Sequence, residues 1–136
     1  MSDFLIRSRY VEIFKLHAAK LVSIHSADER GIYWHSSLLD PINFPAPEMT
    51  ATASFVYGLA FGINQGLLDR AMYLPVVNGA WKFMSTTALQ ENGMFGYCQP
   101  VGGSPENNVN ATSTSDFCVG QFLLAATQMH LMVSEK

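Results

Sequence analysis

Apolar and polar positions alternate along this chain with helical more often than strand-like spacing. Phe4, Val11, Phe14, Ala18, Leu21 and Val22 recur near helical intervals, with Arg7, Glu12, Lys15 and Lys20 between them. Residues 3–25 therefore predict a first helix, which Ser2 can cap. SADERG reads as a turn, GIYWHSS as a short extended piece, and DPINFPAPE, with three prolines, as a loop that cannot be helical. MTATASFVYGLAFGINQGLL, residues 49–68, contains no charged side chain and predicts a second helix that Gly66 can end. Pro75 suits the first turn of a third helix running to about Leu89, with Val76, Val77, Ala80, Trp81 and Met84 on one side. MFGYCQ then reads as a short strand and PVGGSPENNVNATSTS as a long polar loop. A fourth helix starts at Asp116 with Ser115 as its cap and runs to about Met132.

The two halves share one order: helix, acidic turn with glycine, aromatic strand, proline-bearing loop, apolar helix. Gly31 of ERGIYWHSS and Gly93 of ENGMFGYCQ lie 62 residues apart. This is a repeated helix-hairpin unit, about 1–68 and 69–136, within one partial domain, and such units stack or close into rings. The length of the 49–68 stretch and its glycines at 58, 62 and 66 suit a membrane span. Thr50, Thr52, Ser54, Asn64 and Gln65 would be costly at a bilayer centre, and Glu48 and Asp69 flank it in place of Lys or Arg. A helix buried in protein is the reading, with Gly58 and Gly62 permitting a neighbouring backbone to approach closely.

Composition narrows the classes. Of the 136 residues only 14% are charged, against about 25% in ordinary domains, so much of the surface is buried or awaits a partner. The net charge is −3 with no basic block, which excludes nucleic acid as a partner. No cofactor motif and no metal-ligand spacing are present, and His17, His25 and His130 read as structural or solvated. Cys118 lies in an apolar run and reads most simply as a reduced core residue; a Cys98–Cys118 disulfide stays open as the alternative. Asn110-Ala-Thr112 matches a glycosylation sequon, a pattern too common to weigh. The start, MSDFLIRSRYVEIF, has no export signal, so the chain as it stands is expected to be cytoplasmic.

Several blocks in order carry a resemblance: Pro47-Glu48, Tyr57 with Gly62-Ile63-Asn64, Gly66-Leu67-Leu68-Asp69, Gln99-Pro100-Val101-Gly102, and Gly120 with Phe122-Leu123-Leu124-Ala125. From about Val11 to Met132 the chain resembles the C-terminal part of the unsaturated rhamnogalacturonyl and glucuronyl hydrolases of glycoside hydrolase families 88 and 105. That resemblance implies an all-α fold, with helical hairpins forming about four of the twelve helices of an (α/α)6 toroid. Short β-strands would lie near 31–35 and 94–98. It also implies a reaction in which an aspartate protonates the double bond of an unsaturated uronic acid, water adds, and the glycosidic bond falls apart. The family's catalytic aspartate and its Trp-Ala-Arg-Gly-Asn-type motif match no position here, and Met49 stands where the family commonly has threonine. No catalytic residue is therefore assigned, and the expectation is a fragment or truncated member that is inactive alone. One part of a split hydrolase, or a non-enzymatic helical interaction module, are the alternatives.

Candidate contacts to an oligosaccharide of pectin or glycosaminoglycan origin are Trp34, His35, Glu48, Tyr97 and Gln99. Glu48 precedes the second helix, where it can cap free amides or meet a ligand. Trp34 and Tyr97, with Tyr33 and Phe95, can stack on a sugar ring or cover helix ends. His35 can bond a sugar carboxylate or stay at the surface, and Gln99 with the turn after it suits the mouth of a ring. A ring cut to four helices leaves apolar edges, so a homo-oligomer, specifically a dimer, is expected to form through residues 3–25 and 116–132.

Overall fold

The computed structural model describes residues 3–102, 104–106 and 108–134, and of residues 3–5 the backbone alone. Ser2, the Phe4 side chain and Gly103 of the PVGG turn lie outside the described residues. Four principal helices follow in order: α1 (Asp3–Ser23), α2 (Met49–Asn64), α3 (Arg70–Phe83) and α4 (Asp116–Ser134). A hairpin of β1 (Ser26–Asp28) and β2 (Gly31–Tyr33) follows α1, pairing antiparallel with Ala27 opposite Ile32. The fold is mostly helical, as the sequence predicts, but Ser26–Asp28, within the stretch read as a turn, forms the strand that pairs with Gly31–Tyr33. Across the hairpin turn, the Arg30 guanidinium donates to Asp28 Oδ2 at 2.6 Å, and this bond holds the Asp28 carboxyl below its usual range.

Three elements differ from expectation. The third helix begins at Arg70 because the Asp69 side chain accepts from the amides of Ala71 and Met72, which places Pro75 in its second turn. After Phe83 the chain widens into a π-helical turn, Met84–Ala88. Near 94–98 there is a single bridge, Phe95 opposite Leu89, in place of a strand. Tyr97, at φ 61, breaks the extended path there, and the Tyr97 and Cys98 amides donate instead to the carbonyls of Asn110 and Ser113. Cys98 and Cys118 form a disulfide, which replaces the reduced reading and ties this loop to the first turn of α4.

The core explains the uncharged stretch. Met49, Thr52, Ala53, Val56, Leu59, Ala60 and Ile63 of α2 are buried at helical spacing. Ser54 meets Gln121 at 3.1 Å, and ten residues later Asn64 Nδ2 donates to Gln128 Oε1 at 3.0 Å. Later residues of one helix thus meet later residues of the other, so α2 and α4 run parallel. Outside them, α1 packs through Phe14, Ala18 and Leu21, and α3 through Tyr73, Val76, Val77, Ala80 and Phe83.

Gly66 ends α2 at φ +66; its amide donates to Ile63 O and that of Leu67 to Gly62 O, a Schellman pair. Leu68 folds back onto Gly62, where an added Cβ would lie 2.6 Å from Leu68 Cδ1 and 2.8 Å from Phe14 Cζ. Side chains, then, and not a neighbouring backbone, occupy the space that Gly62 leaves. Gly58 has nothing within 4 Å of its Cβ position and borders a small cleft of about 90 Å³ between α1 and α2. Gly58→Ala should therefore raise stability by about 0.5–1 kcal/mol, because alanine loses less backbone entropy in a helix. A urea midpoint that falls would show that the cleft closes on this position.

Candidate functional site

The start of α2 is where the loops converge. Helix formation leaves its first amides without intrahelical acceptors, and here each finds one. Met49 N donates to Tyr97 O at 2.8 Å and Thr52 N to Glu48 O at 3.2 Å. Thr50 N and Ala51 N donate to Glu48 Oε1 and Oε2 at 2.8 and 2.7 Å. Glu48 Oε1 also accepts from Gln99 N at 3.2 Å, so one fully buried carboxylate caps the helix and pins the loop across it. The Glu48 backbone amide donates to Trp34 O, which anchors the segment after the hairpin to the same point.

Of the five sequence candidates, these contacts place Glu48 in the frame of the site. Trp34 lies in the core: it is fully buried, its Nε1 donates to Leu21 O at 3.0 Å, and no face is free to stack on a sugar. The His35 ring is spanned on both sides, Nδ1 donating to Pro45 O at 2.8 Å and Nε2 lying 2.7 Å from Ser26 Oγ. Tyr97 is half-buried with its ring edge-on to Phe83, and its positive φ is held by the bonds at its amide and carbonyl. Phe95 is buried and stacks on Phe122 with centroids 4.4 Å apart. Tyr33 packs on Phe83, and burial pushes its phenol above the usual range. Tyr33 and Tyr97 thus cover the end of α3, whereas Trp34 and Phe95 belong to the core.

Of the five, Gln99 lines a surface depression. A depression of about 660 Å³ lies between the first turns of α2 and α4, walled by Gln99, Pro100 and Val101 on one side and by Ser36, Thr50 and Phe117 on the other. Ser36 Oγ and Thr50 Oγ1 are buried there and have no hydrogen-bond partner. Sequence reasoning missed both. Serine and threonine are so often satisfied locally that only their surroundings mark these two. No charged side chain lines the depression among the described residues, and no group of three or more His, Cys, Asp or Glu is placed to hold a metal.

Comparison with known proteins adds the family context. A family model described as Glycosyl Hydrolase Family 88 matches residues 6–133. The chain is 34% identical over 128 residues to an unsaturated 3S-rhamnoglycuronyl hydrolase of Formosa agariphila, covering 94% of this chain and 33% of that protein. It is 34% identical over 123 residues to one of Alteromonas sp., covering 90% and 29%. It spans about a third of the length of these curated relatives. A solved family 88 glycosyl hydrolase from Bacteroides vulgatus superposes with a TM-score of 0.81 at 42% identity, covering 90% of this chain and 35% of that one. A solved chain described as a polysaccharide lyase superposes at 0.82 and 43% identity, covering 96% and 36%.

Proposed function

This chain belongs to glycosyl hydrolase family 88, and from that premise we propose that it forms one wall of a sugar-binding cleft in an unsaturated uronyl hydrolase while supplying no catalytic acid. The ligand class is an oligosaccharide ending in an unsaturated uronic acid, in line with the names of the curated relatives. The observation that carries the reading is the depression between α2 and α4. It is lined by Pro100, Val101 and Phe117 together with Ser36, Thr50 and Gln99, and it is free of lining carboxyls among the described residues. General acid catalysis needs a carboxyl within hydrogen-bonding reach of the reacting atom. Glu48 does not line the depression, and its oxygens are committed to three amides. Purified alone, the chain should leave unsaturated uronides intact, followed as constant absorbance of their conjugated double bond. Turnover that tracks with the protein peak through repurification would overturn this.

The surface supports an associating partner. Tyr10, Ile13 and Leu16 on α1, and Leu123 and Val133 on α4, are each more than half exposed. Helix α4 is long and apolar enough to cross a bilayer by length and composition, with 22% of that window buried. Thr127, His130 and Ser134 place polar groups on its exposed face, which suits a protein partner better than lipid. By itself the chain should form a homodimer through α1 and α4 that buries on the order of 2,000 Å². Light scattering during size exclusion checks this, and a monodisperse 15.0 kDa species would count against it.

A further inference from the structure

We propose that the Cys98–Cys118 disulfide is a redox latch on the loop between them: oxidised, it holds Gln99 against Glu48, and reduced, it releases the limb that begins at Gln99. The two sulfurs join positions 20 residues apart and tie the loop to the first turn of α4. Little else does so. Among the described residues of 99–117, only Val109 is buried. The far limb is held by bonds from Tyr97 N to Asn110 O, from Cys98 N to Ser113 O and from Gln90 Nε2 to Ala111 O. The near limb is anchored by the bond of 3.2 Å from Gln99 N to Glu48 Oε1. Beyond it, Pro100, Val101, Gly102 and Ser104 are exposed and make no hydrogen bond among the described residues.

A latch needs two states that the chain can occupy, and the surroundings of the sulfurs provide both. Cys98 Sγ lies 3.5 Å from Phe95 O and 3.6 Å from Gly96 O. In the disulfide that sulfur carries no proton; as a thiol it carries one, with two carbonyls in place to accept it. Cys118 is fully buried in the apolar core, where a reduced cysteine packs as a small hydrophobe. Reduction therefore strands neither sulfur. The backbone at Tyr97 moves the loop. Its φ of 61 is unfavourable for a residue with a Cβ and is sustained by the bonds from Met49 N to Tyr97 O and from Tyr97 N to Asn110 O. With Cys98 untied, Tyr97 returns to negative φ and carries Gln99 off Glu48. Thr50 and Ala51 keep their carboxylate acceptors, so α2 stays capped. In the exchange a dithiol attacks one sulfur and then closes on itself; the S–S bond breaks, two electrons and two protons pass to the cysteines, and the reductant leaves as a disulfide. Both sulfurs are buried, so attack waits on the local opening that the sparsely held near limb allows.

The test follows amide hydrogen exchange in the ¹⁵N-labelled chain, oxidised and after dithiothreitol, with thiols counted in denaturant. The oxidised chain should show no free thiol, and the reduced chain both. On reduction the Tyr97, Cys98 and Gln99 amides should exchange at least about tenfold faster, while Val56 and Ala60 of α2 and Val77 and Ala80 of α3 keep their rates. Oxidised glutathione should restore the first state. Cys98→Ser combined with Cys118→Ala should give the reduced pattern and no response to dithiothreitol. Should that variant not fold, the reversible change in the unaltered chain decides. Unchanged exchange at 97–99 on reduction would overturn the latch, and so would free thiols that persist under oxidised glutathione. Protection lost throughout α2 and α3 would overturn it too, because the disulfide would then hold up the whole fold. Every reading is taken without a ligand, so the outcome stands apart from the cleft reading above.

Discussion

Glu48→Ala is expected to lower stability by about 3–5 kcal/mol. The carboxylate is fully buried and accepts from three amides, those of Thr50, Ala51 and Gln99. Loss of a helix cap alone costs about 0.5–2 kcal/mol. Here the truncation also leaves buried amides unsatisfied, each at about 1–3 kcal/mol before the structure relaxes. Glu48→Gln keeps one acceptor oxygen and should lose less, about 1–3 kcal/mol, because its amide group turns a donor toward a donor. Thermal unfolding should show the alanine variant lower by roughly 10 °C or more. A shift of only a degree or two would mean that water replaces the carboxylate and that the loop does not depend on it.

Gly31→Ala should cost about 2–5 kcal/mol. Gly31 sits at φ +144, and a Cβ there would lie 2.5 Å from Gly79 O and 3.0 Å from Phe83 N, both backbone atoms of α3. Overpacking against a helix backbone cannot be relieved by a rotamer change and costs about 1–3 kcal/mol, to which the unfavourable backbone conformation adds about 1–2 kcal/mol. Gly93 is the control: it has φ +84 and nothing within 4 Å of its Cβ position. Gly93→Ala should therefore show the backbone cost alone. Equal losses at the two positions in a urea titration would show that the contact between β2 and α3 is looser than its distances imply.

The residues that were legible in the sequence are those whose role is local. Ser115 as a cap and Gly66 as a helix end are fixed by neighbours within a few positions, and both stand where the sequence placed them. Apolar periodicity located all four helices. Asp69 was less visible because Pro75 offered a competing helix start, although the aspartate has the stronger means, an oxygen for two amides. What depends on distant partners could not be read. Trp34 beside a hairpin looks the same in sequence whether it faces a ligand or donates to Leu21 O in the core. Gly58 and Gly62 have identical spacing signals, yet Leu68 and Phe14 crowd one and leave the other open. Tyr97 gives no sign in sequence of its positive φ, which is imposed by bonds to Met49 and Asn110. The family itself was legible through separate blocks in order, whereas Ser36 and Thr50 are marked only by partners they lack.

If this chain contributes a cleft wall, the chemistry must come from the remaining two thirds of a longer relative. This is tested most directly by replacing the matching third of the Formosa agariphila hydrolase, the relative 34% identical over 128 residues, with this chain. Consumption of an unsaturated uronide by the chimera is then followed as loss of double-bond absorbance. The account predicts turnover by the chimera and none by the chain alone. A chimera that folds with native helicity yet leaves the substrate untouched, or a chain that cleaves it unaided, would contradict the account.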